Sequence, residues 1–188
     1  MPSYQRLRAI LLEPRNAWAR IAAEPATVQS LALGWILGLA AIGPLAMLVG
    51  YADLGLARSL RLAVGAWLTT LVVTFLLALI VDTLAPSFGG RRDYVASLKL
   101  VAYAFTAIYL AGIGHVMGQI GGAIVLAAAV VSWISFGIGA PMLRRCTPDR
   151  SVAFTLVVLV AWLALAAIDG YATSGGGIRP ASVPRRLL

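Results

Sequence analysis

Between Lys99 and Arg144 the chain carries no Asp, Glu, Lys or Arg. An α-helix rises ~1.5 Å per residue and a hydrocarbon core is ~30 Å thick, so roughly 20 apolar residues make one membrane crossing. The uncharged stretch is twice that long. Three shorter gaps, each about one crossing in length, lie between Glu24 and Asp53, between Arg61 and Asp82, and between Arg150 and Asp169. The spacing of charges therefore predicts an all-α, polytopic membrane bundle of five spans, at about 28–50, 62–84, 98–113, 120–143 and 151–171. Residues 1–25 form a separate leading segment and residues 172–188 a flexible tail rich in Thr, Ser, Gly and Pro.

Composition fits this frame. The chain is 61% hydrophobic and 12% charged, with mean hydropathy +0.91, outside the range of a water-soluble domain of 188 residues. A net charge of +8 would suggest nucleic acid in a soluble protein. Here the arginines gather in short stretches beside the spans, where they meet anionic headgroups and set orientation, so no nucleic-acid partner is expected. With the N-terminus cytoplasmic, that side receives ten basic residues and the opposite side five, which favours N-in, C-out. Cys146 is the only cysteine, so neither an internal disulfide nor a multi-thiolate metal site can form.

The leading segment carries Arg6, Arg8, Glu13, Arg15 and Arg20 dispersed along its length, unlike the short basic start and compact apolar run of a cleavable signal. Ser3 to Ala23 reads as a helix interrupted at Pro14, or as two short helices meeting there, since proline suits a helix's first turn. Trp18, Ile21 and Ala22 recur at helical spacing opposite basic residues, as in a helix lying in the headgroup layer with Trp18 as its anchor. Pro44 predicts a kink in the first span. Thr147-Pro148-Asp149 forms a start signal for the fifth, with Thr147 as cap and Asp149 complementing the helix dipole.

Chemistry is sparse. The spans place no ionisable residue near the midplane, which argues against an ion-coupled pump but not against a passive facilitator. Thr69, Thr70, Thr74, Tyr103, Thr106, Ser132, Ser135 and Thr155 are the buried hydroxyls, and such groups mostly bond back to their own helix or link neighbours. His115 is the only histidine. Ser135 would stand ~22 Å from it along the next helix, which excludes a Ser-His dyad formed by these two. His115, Asp53 and Asp169 fall near one surface, but without fixed spacing they make a weak metal set. Asp82, Asp93 and Asp149 lie beside Arg91, Arg92, Arg144, Arg145 and Arg150, as ordinary interfacial ion pairs or as a docking patch. No catalytic, cofactor-binding or metal residue is assigned, and no cofactor is expected. Small residues one helical turn apart, Gly34 and Gly38, then Gly114, Gly118 and Gly122, offer close approach to another helix.

Pro14, Trp18, Ile21 and Glu24 spell P-x3-W-x2-I-x2-E ahead of the first span. Gly43-Pro44-Leu45 follows within it, KLVAYAFTAIYLAGI with Tyr103 within the third, and then Pro141 and Thr147-Pro148. This order resembles the Yip domain family of small five-span membrane proteins related to the Ypt/Rab-interacting proteins, particularly its bacterial members. The resemblance covers roughly Leu11 to Ile168. It implies a bacterial inner (plasma) membrane location, a cytoplasmic N-terminus, and a non-enzymatic role in association with other membrane proteins or with itself. Two departures stand out: Ala107 occupies a position where many members carry proline, and the acidic, proline-rich extension of eukaryotic members is missing, which makes GTPase binding doubtful. The leading expectation is a membrane adaptor or organiser; the alternative is a facilitator or channel for a small or lipidic solute.

Overall fold

A computed structural model describes residues 3–117, 119–144 and 148–175. Gly118, Arg145, Cys146, Thr147 and residues 176–188 lie outside the description, as do the side chains of Pro148, Asp149 and Asp169.

The leading segment forms two helices, α1 (Ser3–Leu12) and α2 (Pro14–Ala23), with Pro14 as the first residue of the second. The first span, α3, runs Val28–Gly50. Thr27 starts it with a reciprocal cap: its side chain accepts from the Ser30 amide while the Ser30 hydroxyl accepts from the Thr27 amide. Two irregularities follow. Ala32–Ile36 is a π-helical turn, with the Leu37 amide bonded to the Ala32 carbonyl. The helix then breaks at Ala41, whose amide reaches only to Gly38, and restarts as Ile42–Gly50 with Pro44 in its first turn. The irregularity therefore falls three residues ahead of the proline, and Pro44 lies in a first turn, where its missing N–H does least harm.

A glycine at positive φ, Gly55, leads into α4 (Leu56–Leu84), which begins six residues earlier than the charge gap predicts because Arg58 and Arg61 sit within its first turns. The third span differs most from expectation. In place of one continuous helix over 98–113, α5 (Tyr94–Ala104) and α6 (Thr106–Ala111) meet at Phe105 and, with a 3-10 turn Gly112–Val116, bend by 41°. α7 (Gln119–Arg144) and α8 (Pro148–Gly175) complete the chain, so the last helix continues four residues into the expected tail. Among the described residues, four helices are long and apolar enough to cross a membrane, and the bent pair makes a fifth if counted as one span.

α5 is the hub. Every residue from Ser97 to Ala104 is buried, so this helix is covered on all sides, Lys99 included. α4 and α7 pack against it, α8 packs on those two, and all three turn apolar stripes outward: Leu68, Val72 and Leu79 on α4, Leu126, Val130 and Ile134 on α7, and Val152, Leu156, Val160 and Leu163 on α8 are all exposed. In water such stripes would drive association; in lipid they face the solvent they match. At the bend, Phe105 meets Trp133 edge-on at 5.3 Å, Trp133 meets Trp162 at 5.7 Å, and Phe136 stacks on Phe154 at 6.2 Å, joining α5, α7 and α8.

Two glycine crossings close the end of the bundle away from α1 and α2. A Cβ on Gly112 would stand 2.6 Å from the Gly43 Cα, and one on Gly121 would collide with the Gly114 carbonyl. Because backbone opposes both positions, Gly112→Ala is expected to lower stability by about 1–3 kcal/mol, read as a lower midpoint of thermal unfolding in detergent. Gly34→Ala, at a site with open space, should leave that midpoint within error.

Candidate functional site

The sequence motif ahead of the first span is a latch. Trp18 is fully buried, and its indole N–H donates to the Ser135 hydroxyl at 3.1 Å. Its ring lies over Gly139 of α7, where a Cβ would come within 2.7 Å of two ring carbons and 2.8 Å of a Leu100 methyl. Trp18 is therefore not an anchor in the headgroup layer, as its spacing suggested. The glycine leaves room for the ring and the serine supplies the acceptor its N–H needs when buried. α2 then ends against a cation: the Lys99 ammonium donates to the carbonyls of Ile21 at 2.9 Å and Glu24 at 2.6 Å. A positive charge there satisfies unpaired carbonyls and opposes the helix dipole. The Glu24 carboxylate pairs with Arg6, which also donates to the Tyr103 hydroxyl at 2.6 Å and stands 5.4 Å above that ring. Tyr103 in turn packs edge-on against Trp35 at 5.0 Å. Pro14, Trp18, Ile21, Glu24 and Tyr103 thus belong to one arrangement that fixes the leading helices to the bundle.

Beside the latch is a polar pocket of about 530 Å³ lined by Glu24, Arg91, Arg92, Asp93, Lys99 and Arg144, among others. Arg144 is 1% exposed. Its guanidinium donates to the Asp93 carbonyl at 2.6 Å, to the Arg91 carbonyl, and to the Asp82 carboxylate at 3.2 Å. The same Asp82 oxygen accepts from the Asp93 amide at 2.7 Å, and the Asp93 carboxylate caps α5 by accepting from the Ala96 amide at 3.0 Å. Buried Arg144, half-buried Asp82 and exposed Asp93 form a knot that holds the 89–93 loop, rather than a loose row of surface ion pairs. Arg91 and Arg92 are exposed at the pocket's edge.

At the opposite end a second cavity, about 640 Å³, lies between α3, α4 and the α6 region. Gly43, Pro44 and Met47 form one wall, Leu62, Gly65 and Thr69 another, with Ile108 and Tyr109 behind. Tyr51, Arg61 and His115 stand at its rim and are exposed, as are Leu62 and Gly65 along its side. Thr69, Thr70, Ile108 and Tyr109 are shared with a further 190 Å³ cavity reaching Leu77, Phe105 and Trp162. Three of the hydroxyls are already engaged: Thr70 donates to the Ala66 carbonyl at 2.8 Å, Thr74 to the Thr70 carbonyl at 2.7 Å, and Tyr109 and Thr74 share a 2.7 Å bond.

The glycines of the sequence reading separate. Gly114 abuts Gly121, whereas Gly34, Gly38 and Gly122 have no atom within 4 Å of where a Cβ would sit, and Gly34 and Gly38 are exposed. His115 Nδ1 bonds the Gly112 carbonyl at 2.6 Å; since a carbonyl only accepts, Nδ1 carries the proton. Ser135 serves Trp18. Pro141 lies inside α7 and Pro148 opens α8. Among the described residues, no three His, Cys, Asp or Glu gather as metal ligands. Sequence reasoning missed Gly139, and it grouped Arg144 with the other interfacial arginines without marking it as buried. Gly139 stands one turn after Ser135, a spacing that becomes informative only once Trp18 is known to point inward. Arg144 looks like any arginine at a helix end.

No curated protein and no solved structure matches this chain. The family model described as the Yip1 domain matches residues 8–168, a stretch that contains both the α2 latch and all the helices that hold it. The chain therefore belongs to the Yip1 domain family of membrane proteins.

Proposed function

We propose that this protein is a non-enzymatic membrane organiser that associates with itself or with other membrane proteins along the outer face of α3. The observation that carries the reading is the open space at Gly34 and Gly38, two exposed glycines one turn apart on the outer face of this span. Small residues in this spacing let a second helix backbone approach closely in lipid. The π-helical turn at Ala32–Ile36 supports it, because the wider turn sends Trp35 and Ile36 inward while Gly34 stays on the surface. The polar groups favour a structural role: Ser135 is taken by Trp18, His115 Nδ1 by a carbonyl, and Arg144 by its knot. The α1–α2 end also carries Arg91, Arg92 and Arg144, which favours that end as cytoplasmic in a bacterial inner membrane.

Gly34→Ile and Gly38→Ile are the tests, since both positions are exposed and a Cβ at either would meet nothing within 4 Å beyond its own helix backbone. Each is expected to weaken association at least about tenfold, equivalent to ~1.4 kcal/mol, in mild detergent or nanodiscs. Unchanged oligomers and unchanged co-purifying proteins would remove the reading.

The cavity bordered by Pro44 favours a second reading, a facilitator for a lipidic solute. Liposome flux that disappears on Pro44→Ala would support it. Absence of flux for a broad panel of solutes and lipids would not.

A further inference from the structure

We propose that the cavity between α3, α4 and α6 is a binding site for one anionic glycerophospholipid, its phosphate at Arg61, its headgroup hydroxyl at His115 and an acyl chain running inward past Pro44 to Tyr109. The inference rests on neither reading of function, because a resident lipid is compatible with association and with transport alike.

Size and access come first. At about 640 Å³ the cavity lies within the ~300–1,000 Å³ range of small-molecule sites. Leu62 and Gly65 are exposed along its side, so it opens toward the bilayer as well as at the end. The shared lining at Thr69, Thr70, Ile108 and Tyr109 leads on to the 190 Å³ cavity, giving an elongated space suited to a chain.

The walls then choose the occupant. A hydrated ion would need free donors or acceptors along its path, but the Thr70 and Thr74 hydroxyl protons are committed to their own helix and Tyr109 is bonded to Thr74. Thr69 apart, what remains is an apolar surface formed by Pro44, Met47, Leu62 and Ile108, matched to methylene groups. The rim has the opposite character. Arg61 presents a guanidinium suited to phosphate oxygens. With Nδ1 of His115 committed to the Gly112 carbonyl, Nε2 is the ring nitrogen left for a headgroup hydroxyl. An apolar interior, a cation and an acceptor at the mouth reproduce the order of acyl chain, phosphate and hydroxyl in phosphatidylglycerol.

The test is native mass spectrometry of the full chain, exchanged from detergent into an equal mixture of phosphatidylglycerol and phosphatidylcholine. The wild type is expected to retain one lipid and to favour phosphatidylglycerol. Gly65→Trp, which fills the space from an open position, should abolish the retained lipid. Arg61→Gln should reduce the preference for phosphatidylglycerol roughly fivefold, the worth of one basic residue beside anionic lipid. Arg61→Lys should keep most of it. If Gly65→Trp fails to fold, the exposed Arg61 variants carry the test alone. Retention of lipid by a folded Gly65→Trp protein, or equal retention of both lipids by the wild type, overturns the proposal. So does displacement of the lipid by soluble glycerol phosphate, which would assign the rim to a free phosphate.

Discussion

Trp18→Ala should cost about 3–5 kcal/mol, the largest loss expected from any single side chain in the leading segment. The substitution empties a fully buried site over Gly139 and leaves the Ser135 hydroxyl without its donor. Two measurements check it. The unfolding midpoint in detergent should fall, and trypsin should release the α1–α2 segment at Arg15 or Arg20 before it attacks the bundle. A coupling experiment separates the latch from general destabilisation. Gly139→Ala alone is expected to be costly, because its methyl would meet the indole ring at 2.7 Å, and nearly neutral when Trp18 is already alanine. Additive effects, or a Trp18→Ala protein that resists trypsin like the wild type, would mean that the ring is not what holds α2.

Arg144→Met is the second large effect. The guanidinium is buried and serves two carbonyls and the Asp82 carboxylate, so its removal strands a largely buried negative charge beside unpaired backbone oxygens. Breaking such a buried pair by removing one partner costs roughly 3–5 kcal/mol. Asp82→Asn in the same chain should recover part of this, since a neutral amide no longer needs a counter-charge. The recovery would be partial because the Arg91 and Asp93 carbonyls remain without Arg144. Chemical denaturation of the two single variants and the double variant decides it. An Arg144→Met protein as stable as the wild type would show that the knot is ornamental.

The spans were legible because lipid is an exacting solvent. Val28–Gly50 follows directly from the gap between Glu24 and Asp53, since a charged residue inside hydrocarbon is costly and the chain avoids it. The start of α4 was missed for the same reason: Arg58 and Arg61 can lie in a helix whose first turns are at the headgroup level, which a count of charges treats as loop. The bend at Phe105 had no local sign, for neither glycine nor proline occurs from Val101 to Tyr109. It arises from tertiary contacts, with Phe105 against Trp133 and Trp162 on one side and the Trp35 indole donating to Thr106 at 3.1 Å on the other.

The candidate sites were legible only in part. The order Pro14, Trp18, Ile21 and Glu24 marked the right segment, but periodicity gave Trp18 to the wrong neighbour. Amphipathic spacing tells which residues share a face and not whether lipid or protein covers it. Lys99 was counted for orientation and turned out to be the cation that ends α2. The apolar cavity was foreshadowed by Gly43-Pro44, although the helix breaks at Ala41 rather than at the proline itself.

The latch also imposes a schedule on synthesis. Lys99 lies 75 residues after Glu24, and Ser135 lies 117 residues after Trp18, so α2 emerges from the ribosome long before its partners exist. Until the third and fourth spans have entered the bilayer, its last carbonyls and its indole have nothing to hold. Docking of this early segment is thus among the last steps of maturation, and it reports that the bundle behind it has closed.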